Sequence, residues 1–175
     1  KDKNKSKIKL HKKDKILCAK FRKGHFEGVL DVMDKLTKII NPQKIFMGEK
    51  DFQQLYLVKK LLEKKYKTKV IPCKTIRDKN NVALSSRNFL LNKSNLNVAK
   101  NIYKKLARIK KNIDKKNNIP DFLNSQKNKL KNIYQIEIDY LELRNINNLK
   151  ISNTNKNSRL FIAYYLNNVR LIDNL

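Results

Sequence analysis

Apolar residues recur at spacings of three and four from Val29 through Val32, Met33, Leu36 and Ile39 to Ile40, which predicts an amphipathic helix. Asn41-Pro42 ends it, because proline pushes the residue before it out of helical geometry. A second helical pattern runs through Leu55, Val58, Leu61 and Leu62. Three apolar runs of strand length alternate with these helices: Ile16-Leu17-Cys18-Ala19, Lys44-Ile45-Phe46-Met47 and Lys69-Val70-Ile71-Pro72. Strand, helix, strand, helix, strand is the order of an open parallel sheet. Such sheets bind ligands beyond the carboxyl ends of their strands, which here are Gly48 and the segment after Thr75.

Past Asn88 the texture changes. Leu96, Ala99, Ile102, Tyr103, Leu106 and Ile109 predict a helix over residues 94–113, and residues 110–118 read as a solvated turn. Pro120 is placed to open a further helix through Phe122, Leu123 and Leu130 toward Tyr134. Residues 135–143 then alternate like a half-buried strand, and 159–166 and 169–172 follow as two more. Helices followed by clustered strands predict a small α+β domain, with a boundary near residues 85–90. The expected division is 1–87 as a parallel, nucleotide-binding region and 88–175 as the carboxyl-terminal domain. Residues 1–14 are almost wholly polar and read as a loop or frayed tail.

At 175 residues and 40% hydrophobic content the chain can bury a core. It contains no apolar run of membrane-spanning length and no secretory leader pattern, so the expected partners exclude membrane and the expected location is the cytoplasm. Cys18 and Cys73 suit neither a disulfide framework nor a zinc site, and both read as small buried hydrophobes. The formal net charge of +27 raises nucleic acid as a partner. Lysine and asparagine nevertheless fill polar positions throughout the chain, which favours a general lysine bias over a nucleic-acid surface. No zinc finger, aromatic RNA-binding motif or basic zipper accompanies the charge.

Two segments carry candidate chemistry. Gly48-Glu49-Lys50-Asp51-Phe52-Gln53-Gln54-Leu55 joins a strand to a helix, where glycine permits close backbone approach, the helix start offers amide donors and Lys50 adds a charge suited to phosphate. By itself this is also an ordinary strand-to-helix turn, with fewer glycines than a P-loop. Ala83-Leu84-Ser85-Ser86-Arg87-Asn88 supplies two hydroxyls and a guanidinium that can clamp phosphate, and alone it is equally compatible with a plain loop. His25 reads as structural at the start of the first helix, and His11 as solvent-exposed. Asp31 and Asp34 share a helix face near Lys35 and Lys38, which predicts surface ion pairs rather than a metal site.

These two segments, together with Phe21-Arg22-Lys23-Gly24-His25-Phe26-Glu27-Gly28-Val29 and the terminal Arg170-Leu171-Ile172-Asp173-Asn174, resemble pantoate-beta-alanine ligases, also called pantothenate synthetases. The likeness runs in order from about residue 16 to the end. It implies the second half of a Rossmann-like nucleotidylyltransferase domain with parallel strands, followed by a small α+β domain. It also implies ATP-dependent condensation of pantoate with beta-alanine through a pantoyl adenylate, with Mg2+ carried in by ATP, in a homodimer. Carried over residue by residue, the ATP-binding positions are Gly48, Glu49, Lys50, Asp51, Ile76, Leu84, Ser85, Ser86 and Arg87. Lys50 and Arg87 would stabilise phosphate charge, and Gln54 would hydrogen-bond pantoate. The chain departs from the family at Lys23, where proline is expected, and at Cys73 and Lys74 ahead of the adenine position. The family's amino-terminal half, with its HIGH-type histidines, has no counterpart in these residues, so no catalytic histidine is assigned and the chain alone is expected to turn over little substrate. The alternatives are a basic nucleic-acid-binding module with relic nucleotide motifs, and a nucleotidylyltransferase acting on another acid.

Overall fold

The computed structural model describes residues 8–175, so the expectation of a frayed tail over residues 1–7 lies outside it. The chain forms two compact units, one ending at Lys74 and the other spanning Thr75–Leu175. Among the described residues no helix is long and apolar enough to cross a membrane.

The first unit contains α1 (Cys18–Phe21), α2 (His25–Ile40), β1 (Lys44–Gly48), α3 (Phe52–Lys65) and β2 (Lys69–Cys73). β1 and β2 pair in parallel, with Lys44 opposite Lys69 and Gly48 opposite Cys73, so α3 is the crossover of a strand–helix–strand unit. Gly24, at φ +77°, turns the chain into α2, a conformation that glycine adopts without steric cost. Asn41 closes α2 in left-handed geometry, donating its backbone N–H to Thr37 O at 2.9 Å, and Pro42 prevents continuation.

Four expectations for this unit are corrected. The run Ile16–Ala19 is not a third strand: the chain turns at Leu17, with Ala19 N donating to Ile16 O at 2.9 Å, and Cys18 and Ala19 already belong to α1. The Gln53 side chain occupies the place of a strand neighbour: its amide nitrogen donates to Asp14 O (3.1 Å) and Ile16 O (2.8 Å), and its oxygen accepts from Ala19 N (3.3 Å). Residues 8–14 are not a loose tail, because a 3-10 turn at Lys12–Asp14 buries Asp14, Leu10 is also buried, and Lys60 donates to Asp14 Oδ2 at 3.0 Å. The stripe Val32, Leu36, Ile39 and Ile40 faces outward, with Ile39 78% exposed. Phe26, Leu30 and Thr37 are buried instead, and Asp34 receives Lys65 Nζ and Tyr66 Oη from α3 and its end. Cys18 is buried as expected, whereas Cys73 is exposed, since it ends β2 beyond the packed Val70.

The second unit contains α4 (Lys93–Lys111), α5 (Ile119–Tyr134) and an antiparallel sheet in the order β3 (Ile138–Asn145), β4 (Ser158–Leu166), β5 (Val169–Asn174). Asn92 caps α4 by accepting from Asn95 N at 2.8 Å, and Asn118 caps α5 by accepting from Asp121 N at 3.1 Å, with Pro120 in the first turn. The inward faces of both helices, through Ile102, Leu106, Leu123 and Leu130, join Leu143, Leu160 and Ile162 of the sheet in one continuous core. Residues 110–118 are less solvated than expected. Ile113 is fully buried, and Lys110 turns inward to donate to Ser158 O (2.9 Å) and Leu175 O (2.7 Å). Burial, aided by the Arg159 charge, holds the Lys110 ammonium below the ordinary lysine range.

Candidate functional site

In the first unit, Gly48 ends β1 with φ −67° and ψ 134°, a conformation open to any residue, and a Cβ added there would meet nothing within 4 Å. Neither backbone strain nor packing therefore demands glycine at this turn. Glu49–Asp51 form a 3-10 turn, and α3 starts at Phe52. Lys50 Nζ lies 3.8 Å from Asp51 Oδ2, a distance that pairs the charges without a short hydrogen bond. The Lys50 side chain is largely sheltered while that of Asp51 is open.

The two adjacent glutamines of α3 have different surroundings. Gln53 lies on the same inward face as Leu57, one turn further on, and all of its side-chain bonding serves the turn at residues 14–19. Gln54, the neighbour, is half-buried and its side chain has no hydrogen-bond partner among the described residues. The sequence reading missed Gln53, although its helical phase with Leu57 was a usable signal.

In the second unit, Ile76 and Leu84 are joined by the backbone, Leu84 N donating to Ile76 O at 3.0 Å, and both side chains are exposed. The loop between them is closed by Asp78, whose Oδ1 accepts from Asn80 N (2.8 Å) and Val82 N (2.9 Å). Ser85 caps the 3-10 turn Ser86–Leu90, its Oγ accepting from Arg87 N at 3.2 Å. Ser86 and Arg87 are exposed, and Phe89 just beyond them is 92% exposed. Asn88 ties this turn back by donating to Ala83 O at 3.1 Å. Its Oδ1, like Thr75 Oγ1, is buried without a hydrogen-bond partner among the described residues, an arrangement that costs about 1–3 kcal/mol until a partner arrives.

The structure thus gathers Gly48, Glu49, Lys50 and Asp51 in one turn with Gln54 in the first turn of the α3 helix behind it, and Ile76, Leu84, Ser85, Ser86 and Arg87 in one looped segment, each set within its own unit. His25 opens α2 with its ring 5.0 Å from that of Phe26 and tilted by 55°, and His11 is exposed, with its Nδ1 accepting from Lys13 N. Asp31 pairs with Lys35 at 2.8 Å as expected, whereas Asp34 pairs with Lys65 rather than with Lys38. Among the described residues no three His, Cys, Asp or Glu side chains are gathered as a metal would require. The terminal Arg-Leu-Ile-Asp-Asn run is structural in its contacts. Arg170 Nε donates to Asp139 at 2.9 Å, Asp173 receives Arg77 at 2.7 and 2.8 Å, and Asn174 Oδ1 accepts from Arg159 at 2.7 Å.

A parallel strand–helix–strand unit followed by an antiparallel α+β unit places the chain among α/β proteins, whose ligands sit beyond the strand ends. The family model for pantoate-beta-alanine ligase matches residues 2–175. Pantothenate synthetase of Flavobacterium psychrophilum is 40% identical over 163 residues, covering 90% of this chain and 57% of that protein. The enzyme of Cytophaga hutchinsonii is 39% identical over 167 residues, covering 93% and 59%. Among solved structures, pantothenate synthetase of Thermus thermophilus superposes with a TM-score of 0.86 at 26% identity, over 96% of this chain and 62% of that one. The pantoate-beta-alanine ligase of Francisella tularensis, solved with beta-gamma ATP and beta-alanine, gives 0.74 at 34% identity, over 96% and 56%. The chain belongs to the pantoate-beta-alanine ligase family. It spans somewhat less than three fifths of the length of the curated relatives it matches.

Proposed function

We propose that this chain serves the ATP-dependent ligation of pantoate to beta-alanine, and that it carries the phosphate-side residues of that reaction. The observation that carries the reading is the family match over residues 2–175, in which the Gly48–Gln54 turn falls at a strand end. In the proposed sequence the pantoate carboxylate attacks the α-phosphorus of ATP and the bond to the bridging oxygen breaks. Pyrophosphate leaves, and a pantoyl adenylate remains. The amine of beta-alanine then attacks the acyl carbon, AMP departs with the C–O electron pair, and the ammonium proton is released.

The chain's own contribution is positioning and charge stabilisation. Gly48 leaves space beside the β1 end, and Lys50 and Asp51 address phosphate and ribose. Gln54, unlike Gln53, keeps its amide available for pantoate. Ser85, Ser86 and Arg87 address the triphosphate, with the backbone of Ile76 beside the adenine and Leu84 among the ATP-binding positions. Mg2+ would be held by the phosphates and water, as magnesium commonly is, because no carboxylate cluster offers itself among the described residues. The same reading extends to a cytoplasmic homodimer, and to a nucleotide-binding region ending at Arg87 ahead of an α+β domain from residue 88.

Equilibrium binding of ATP to the 175-residue chain tests this, with Lys50→Ala and Arg87→Ala as variants. Each is expected to weaken binding about tenfold, the scale of one charge-assisted contact. ATP affinity unmoved by either change, or ATP binding lost to competing DNA with steep salt dependence, would overturn the reading in favour of a polyanion surface. Enhancement of retention by pantoate, abolished in Gln54→Ala, separates pantoate from another acid.

A further inference from the structure

Arg77 lies between the residues to which nucleotide contact is assigned, yet its guanidinium is directed into the second unit. Nη1 and Nη2 grip Asp173 of β5 at 2.7 and 2.8 Å in a two-pronged ion pair. The same nitrogens reach Asn81 O at 3.0 Å, on the far arm of the loop, and Asn174 O at 3.2 Å. Its face lies 4.7 Å from the Tyr103 ring of α4. One side chain therefore joins β5, α4 and both arms of the segment that runs from Ile76 to Arg87. Backbone pairing of Arg77 with Ala83, and of Leu84 N with Ile76 O, transmits that fixation to the serines and arginine beyond.

We infer that Arg77, locked by Asp173, is a positioning residue for the nucleotide: it holds the Ile76 backbone and the Leu84–Arg87 arm in the one register that can receive ATP. The inference rests on the functional reading above. Its physical basis is the planar fork of arginine, which fixes orientation as well as distance and which the single ammonium of lysine cannot reproduce. A segment held in its bound geometry before the ligand arrives avoids the entropic cost of ordering it on binding.

The test compares Arg77→Lys with Leu123→Ala, a core truncation in α5, in the 175-residue chain. For each, thermal unfolding, amide hydrogen exchange across residues 76–88 and ATP affinity are measured. Arg77→Lys is expected to speed exchange of the Leu84 amide and to weaken ATP binding by about tenfold to a hundredfold, the range that misplacement of a binding group produces. Leu123→Ala is expected to lower the unfolding temperature at least as much while leaving ATP affinity within about twofold, since stability and preorganisation are separate quantities. The inference falls if Arg77→Lys leaves both exchange and affinity unchanged, or if the two variants lose affinity in proportion to their unfolding temperatures. If the unsubstituted chain binds no ATP, the ATP reading fails by itself, and faster Leu84 exchange in Arg77→Lys alone decides whether the anchor fixes this segment.

Discussion

The two units solve the problem of burial differently. From Thr75 onward, two helices close over one face of a three-stranded antiparallel sheet, and Val82, Leu91, Ile102, Leu106, Leu143 and Ile162 belong to a single cluster. In the unit that ends at Lys74, a two-stranded sheet and two long helices leave Val32, Leu36, Ile39, Ile40 and Phe46 exposed on α2 and β1 themselves, whereas in the second unit Ile76, Leu84, Phe89 and Leu90 are exposed in the looped segment ahead of α4. Polar side chains secure that first unit's turns instead, Gln53 at residues 14–19 and Asp34 between α2 and α3. Hydrophobic closure should therefore dominate the stability of the second unit, and placed hydrogen bonds should matter proportionately more in the first.

Ile162→Ala sharpens this contrast most. Ile162 is fully buried at the centre of β4, and truncation there is expected to cost about 2–5 kcal/mol in denaturant unfolding. Phe46→Ala, on the exposed face of β1, is expected to stay within about 0.5 kcal/mol. Equal losses would break the comparison. Asp173→Ala comes next, at about 2–3 kcal/mol, somewhat under the cost of breaking a fully buried pair because both partners keep slight exposure. Burial alone would lower the Arg77 pKa, and the Asp173 hydrogen bonds outweigh it. Arginine's intrinsic basicity keeps the guanidinium charged without Asp173, so the substitution leaves a partly buried cation without its carboxylate. Gln53→Ala follows at about 1–2 kcal/mol, because it removes the amide's bonds to Asp14 O and Ile16 O and the second acceptor of Ala19 N, while Ala19 N keeps its own 2.9 Å bond to Ile16 O; Gln54→Ala should cost less than about 0.5 kcal/mol. Similar losses at the two glutamines would remove the assignment of Gln53 to structure and Gln54 to ligand.

The second unit was the more legible from sequence. The proline opening α5 falls where the pattern placed it. The alternation over residues 135–143 appears as a strand over Ile138–Asn145, shortened because Gln135 closes α5 in left-handed geometry and interrupted where a register shift leaves Tyr140 and Leu141 both buried. In the first unit, α2 carries apolar residues on more than one face, so periodicity identified the helix while misplacing its buried side. Ile16–Ala19 has the composition of a strand, but Ala19 N closes a local turn on Ile16 O at 2.9 Å, and the Gln53 side chain, 34 residues beyond Ala19, braces that turn. The Arg77–Asp173 pair joins residues 96 apart, and nothing local announces such a partner. The Gly48 turn was legible as a strand end facing a helix start, because glycine, charge and helix phase are all written in adjacent positions.

The smallest expected effect concerns pH and the first unit alone. Partial burial pushes the Asp34 carboxyl up, but hydrogen bonds from Lys65 and Tyr66, with the nearby Lys65 and Lys38 charges, bring it below the ordinary aspartate value of 3.8. The folded state therefore holds this proton less tightly than the unfolded chain. Its stabilising contribution is fully present above about pH 4, the unfolded aspartate range, and is lost as pH falls through the lower folded value. Unfolding of the wild-type chain and of Asp34→Asn, followed between about pH 5 and about pH 2.5 around that range, should give stability curves that converge toward the acid end. Added salt should shrink the gap at about pH 5, because Lys65 is solvent-exposed and its charge is screened. Parallel curves would mean that Asp34 contributes through Tyr66 and packing rather than through its charge, and that the first unit's polar contacts act as shape rather than as electrostatics.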